Sequence, residues 1–129
     1  MHDSPQKVIL TKNARVFLRD DGILQIEIKH DTYFEVDDAD ELIDAAKEIG
    51  GGKRFLNLIF PGKGTLLDSA ARKYSSSEDG SIFKLADAFV ISSLAQRLIA
   101  NFIIKAEKPA VPTAFFLNEK DAITWLKSL

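Results

Sequence analysis

Ser93, Arg97, Asn101 and Lys105 recur at every fourth residue. On a helix that spacing sets a guanidinium, an ammonium and two neutral hydrogen-bonding groups along one side, a stripe able to hold an anion or a polar partner. Asn is a poor helix-interior residue, so Asn101 suggests a hydrogen bond with a purpose. A second candidate is the loop Gly62, Lys63, Gly64 and Thr65, which follows Pro61 and an apolar run. If it opens a helix, its N–H groups and Lys63 can cradle an anion. It is not a P-loop, because Gly64 follows Lys63 where that motif needs Gly-Lys-Ser/Thr. Ser69, directly after Asp68, and the run Ser75, Ser76, Ser77 are candidate phosphoacceptors.

Other polar groups have simpler explanations. Asp37, Asp38, Asp40 and Glu41 could offer oxygens to a hard cation, but they also suit a helix start, with Asp37 as N-cap and its neighbours complementing the dipole. Asp20 and Asp21 belong to a hairpin turn with Gly22. His2 and His30 have no evident shared carboxylate, so neither a zinc site nor a histidine triad is indicated. No metal and no cofactor is expected, and with no acid–base pair or nucleophile the chain reads as non-enzymatic.

The 129 residues suffice for one domain, 46% hydrophobic and without cysteine. Lack of cysteine removes disulfides and thiolate chemistry and fits a cytoplasmic setting. A net charge of −2 with interspersed signs argues against a broad nucleic-acid surface. The first residues lack the pattern of a signal peptide, and no apolar run approaches a transmembrane segment of about 20 residues.

The elements that would position these groups follow from periodicity. Residues 1–13 read as a lead-in and residues 14–129 as a single α/β domain. Arg15 to Arg19 and the alternating Leu24 to Lys29 make a hairpin about Asp21-Gly22, with one buried and one wet face, at an edge or an uncovered side of a sheet. Ala39, Leu42, Ile43, Ala46 and Ile49 make a helical stripe that Gly50 to Gly52 ends. Phe55 to Phe60 is a buried strand. A helix spans about Leu66 to Tyr74, and Ser75 to Ser81 breaks it as a mobile loop. A short helical turn at Ile82 to Leu85, a strand at Phe89 to Ile91, a long helix from Ser92 or Ser93 to about Ala106, a strand at Ala114 to Leu117 and a helix capped by Asn118 follow. The order β-β-α-β-α-β-α-β-α implies a mixed, mostly parallel five-stranded sheet with helices covering it.

On the long helix, Leu94, Ala95, Leu98, Ile99, Phe102 and Ile103 read as the core-facing side. Ala100 and Ile104 then lie outside, framed by Gln96, Arg97 and Asn101. An apolar centre with a polar rim is the anatomy of an interface, so a homodimer or a protein partner is expected there.

The element order β-β-α-β-α-β-α-β-α is similar to the SpoIIAA-like or STAS fold. Within that fold the chain resembles a small uncharacterised bacterial family, in the stretches ARVFLRDDGILQIEIK, AARKYSSSE, SSLAQRLIANFIIKAEKP and PTAFFLNEKDAITWL. The resemblance implies a regulatory or protein-interaction domain of the kind used in bacterial signalling. It places a phosphorylatable serine near Asp68-Ser69, although Ala70 replaces a second serine and the preceding loop is longer. The wider group includes lipid-carrying SEC14-like domains, which implies the alternative of a site for a small anionic or lipidic ligand. That pocket would lie at the strand ends near Gly62 to Thr65.

Overall fold

The computed structural model describes residues 7–129, so His2 lies outside the described residues. Its strands are β1 (Val8–Leu10), β2 (Ala14–Leu18), β3 (Leu24–Ile28), β4 (Tyr33–Phe34), β5 (Phe55–Phe60), β6 (Leu66–Leu67), β7 (Lys84–Val90) and β8 (Thr113–Phe116). Its helices are α1 (Val36–Gly50), α2 (Ser69–Ser76), α3 (Leu94–Glu107) and α4 (Glu119–Lys127).

The mixed, mostly parallel sheet is present with six strands, in the order β1-β2-β3-β5-β7-β8. The pairs β1–β2 and β2–β3 are antiparallel, and the remaining neighbours are parallel. The sixth strand comes from the lead-in. Val8, Ile9 and Leu10 pair with Phe17, Val16 and Arg15, so β1 and not the Ala14 strand forms that edge. A three-residue strand offers too little alternation to be recognised from the sequence alone. A separate two-stranded parallel ribbon joins β4 to β6.

The chain steps across the sheet in one direction from β3 to β8. Right-handed crossovers taken in a constant direction all fall on the same face. Accordingly α1, α2 and α3 share one face, and α4 reaches the other after the last strand. On the α4 face, Ile23, Leu58, Ala86 and Ala88 pack with Ala122 and Leu126. Leu58 and Leu126 are fully buried, each contributing about 1.5–3 kcal/mol relative to exposure. Alanines in β7 let α4 approach closely. The hairpin half of this face stays wet, as its alternation implies. There Arg15 pairs with Glu27 at 3.0 Å, and Arg19 donates to Gln25 at 3.1 Å.

Several boundaries differ from the sequence expectation. Glu35, not Asp37, is the N-cap of α1, and Asp38 accepts its N–H at 2.8 Å. Leu66 and Leu67 are strand, because Leu66 N–H bonds to Thr32 O, and α2 starts only after Asp68, whose carboxylate accepts from Ala71 N–H. Ser75 and Ser76 finish α2 instead of interrupting it, and a 3₁₀ turn covers Asp79–Ser81. Gly80 and Ser81 are buried, and Ser75 O accepts from both Ser81 Oγ and Lys84 Nζ, so this segment is anchored. Residues 84 and 85 extend β7, in place of the helical turn.

Candidate functional site

Between the sheet and α1, α2 and α3 lies a cavity of about 400 Å³, lined mainly by apolar groups. Sheet register defines its floor. Leu24 pairs with Asn57, Asn57 with Asp87, and Asp87 with Thr113, which makes one row across four strands. The next row is Ile26, Ile59, Phe89 and Phe115, and the Phe89 and Phe115 rings stack at 4.9 Å. Helix α1 supplies Leu42 and Ala46, and α3 supplies Ala100, Ile103 and Ile104.

The polar row is internally bonded. Asn57 Nδ2 donates to Asp87 Oδ1 at 2.8 Å, and Lys84 Nζ donates to Asp87 Oδ2 at 2.8 Å and to Ser75 O at 2.8 Å. Thr113 Oγ1 donates to Val111 O. Asn57 and Asp87 are 3% and 4% exposed, deep enough that each unmade bond costs stability. Asn57 Oδ1 is left without a hydrogen-bond partner. At the rim, Arg72 of α2 makes a bidentate pair with Glu107 of α3, tying the two helices together.

The sequence candidates fall elsewhere or in part on this cavity. Ile104 and Ala100, expected on the outer face of α3, instead line the cavity. Leu94, Leu98 and Phe102, expected in the core, are 59%, 63% and 74% exposed. The side chains of Ala95 and Ile99 lie outside the described residues. The reversal has a physical basis: α3 carries apolar residues on most of its circumference, so counting them did not fix the buried side. Ser93 Oγ caps α3 by accepting Gln96 N–H at 3.0 Å, Arg97 is half-buried, and Asn101 and Lys105 are exposed. These four lie on a slanting row between the cavity side and the outer side.

The loop Gly62 to Thr65 does not open a helix, since β6 follows. Two of its N–H groups are engaged: Lys63 N–H donates to His30 Nδ1 and Thr65 N–H to Gly62 O. The Lys29 carbonyl lies where a Gly62 side chain would start, and Gly64 adopts φ +76° against the Asp31 carboxylate. A carboxylate at that point opposes an anion. Thr65 alone of the four lines the cavity. Of the acidic cluster, Asp38 also accepts from Asn13 Nδ2, Asp40 from Tyr74 Oη, and Glu41 from Lys12 N–H.

Ser69 is exposed at the first turn of α2, after Asp68. Asp68 Oδ1 accepts from Tyr33 Oη at 2.7 Å, which lowers the Asp68 pKa and raises that of Tyr33. The bond from Tyr74 to Asp40, at 2.6 Å, likewise raises the Tyr74 pKa. Raised phenol values mean that these bonds persist through pH 10 and are lost as pH rises through the folded-state values. Spectrophotometric alkaline titration should show both tyrosines ionising above the ordinary value of about 10. Asp68→Asn should return Tyr33 towards it and leave Tyr74 late. Two ordinary titrations in the native protein would contradict these bonds.

Among the described residues no helix is long and apolar enough to cross a membrane. The family described as domain of unknown function (DUF7793) matches residues 16–129. No curated protein matches the chain. A crystal structure of an uncharacterised DUF3478 family protein with a SpoIIAA-like fold, from Shewanella loihica PV-4, superposes with a TM-score of 0.58 at 16% identity, covering 98% of each chain. A protein of unknown function from Arthrobacter sp. FB24 is 24% identical over 88% of this chain and 99% of that one, with a TM-score of 0.31. The first likeness shows a SpoIIAA-like fold.

Proposed function

The chain belongs to the DUF7793 family, and from that premise we propose that it is a non-enzymatic binding domain for a small, largely apolar ligand. The ligand would sit between the sheet and α1, α2 and α3. The observation that carries this reading is the cavity of about 400 Å³. Protein interiors ordinarily close such space, and ligand pockets begin at about 300 Å³. Apolar walls with a few convergent polar groups are the usual composition of a ligand site. The cations of the lining, Lys84 and Arg72, are held by carboxylates, which leaves no acid–base machinery in evidence.

The purified chain should enhance the fluorescence of 1-N-phenylnaphthylamine and bind it saturably. Ala100→Phe, which projects a ring into the cavity from α3, should weaken binding by about tenfold or more with unchanged circular dichroism. Equal binding by the variant would place the probe elsewhere and defeat the reading.

A second reading, a regulatory or protein-interaction domain in bacterial signalling, is supported by the outer row Leu94, Leu98 and Phe102. Its spacing of four residues suits a partner surface or a second copy of the chain. A cytoplasmic location accords with either reading and with the absence of cysteine.

A further inference from the structure

The cavity floor also indicates what kind of head group its occupant carries, given the binding reading above. Asn57 lies in the lining, on the row that runs from Leu24 to Thr113. Its amide orientation is fixed by chemistry. The Asp87 carboxylate can only accept, so the Asn57 nitrogen faces Asp87 Oδ1 and the amide oxygen points away from it. That oxygen is the buried side-chain polar atom left without a partner among the described residues. Native interiors satisfy such atoms.

The remaining polar groups of the floor offer little to an anion. Lys84 is paired with Asp87 and also bonded to the Ser75 carbonyl, and Arg72 is paired with Glu107. Each lining cation is therefore already balanced by a carboxylate. Thr113 has given its hydroxyl proton to Val111 O. On the floor row, the group left unspent is the Asn57 acceptor.

We infer that the occupant is a neutral amphiphile whose head donates a hydrogen bond, a hydroxyl above all, to Asn57 Oδ1, with its apolar chain lying along Ile26, Ile59, Phe89 and Phe115. Oδ1 is covered by its neighbours, so the inference requires the side chains around it to move aside when the head group binds. A cavity of about 400 Å³ lies at the small end of the range for ligand pockets, which suits a single-chain amphiphile. An alcohol is preferred to a carboxylate or a phosphate, because no lining cation is left to balance a negative head, while Asn57 Oδ1 can accept from a neutral one.

Displacement of 1-N-phenylnaphthylamine from the full chain tests this with three probes. 1-Dodecanol donates a hydrogen bond, undecyl methyl ether has the same atom count without a donor, and dodecanoate is anionic. Dodecanol should bind at least about tenfold more tightly than either. In Asn57→Leu the gap between alcohol and ether should shrink to about twofold. If that variant fails to fold, the comparison in the wild type decides. Equal binding of alcohol and ether, tighter binding of dodecanoate, or no displacement by any of the three overturns the head-group inference. The cavity reading would still stand wherever the fluorescent probe binds and Ala100→Phe excludes it.

Discussion

Lys84→Met is expected to destabilise the fold by about 3–5 kcal/mol, the cost of removing one partner of a buried ion pair. Asp87 is 4% exposed, and its carboxylate would keep only the Asn57 amide as a donor. Ser75 O would lose its Lys84 bond as well, loosening the turn that joins α2 to β7. An ordinary domain has about 5–15 kcal/mol in all, so the variant should be marginal at 37 °C. Urea unfolding followed by circular dichroism measures the loss. The double variant Lys84→Met, Asp87→Leu should recover most of it, because two apolar groups need no counter-charge. A loss below about 1 kcal/mol for the single variant would mean that water solvates Asp87 through the cavity, as it does an exposed pair.

The two faces of the sheet should respond differently to truncation. Leu58→Ala removes a fully buried side chain beneath α4 and is expected to cost about 2–5 kcal/mol. Ile104→Ala removes atoms from a wall that already borders open space, so its cost should be roughly half of that or less. The same urea midpoints decide it. If Ile104→Ala proves as costly as Leu58→Ala, α3 is packed as tightly as α4 and the cavity is not open to a ligand. Should Ile104→Asp leave the fold intact but dissociate a dimer, the outward placement of Ile104 would be restored.

Much of the architecture was legible because strong local signals agreed. The alternation in Leu24 to Ile28, the Asp21-Gly22 turn, the acidic start of α1, a serine cap at Ser92 or Ser93 and the cap Asn118 each pointed to an element that is present. Weaker signals failed where tertiary pairing decides. Leu66 and Leu67 read as helix yet pair with Tyr33 and Phe34, a contact that sequence periodicity does not encode. The cavity floor was missed although its signal was present. An asparagine inside the apolar run Phe55 to Phe60, and an aspartate inside Leu85 to Val90, are polar residues in central parallel strands, where a reason is required. Only the register reveals that the two stand side by side. The orientation of α3 was not recoverable from amphipathicity, since Leu94, Leu98 and Phe102 compete with Ala100, Ile103 and Ile104 for the buried side.

Every strand of the main sheet lies beside the strand that precedes it in that sheet along the chain. Assembly can therefore proceed by addition, with no strand inserted between two already paired. Such wiring keeps the contact order low for a parallel sheet and favours rapid folding. The β2–β3 hairpin closes a short loop and has a longer ladder than β1–β2, which makes it the natural nucleus, and β8 is the natural last arrival. Substitutions in the hairpin should accordingly slow folding, and those in β8 should chiefly hasten unfolding. The cavity wall formed by α3 then closes only at the end, over a floor that is already in place.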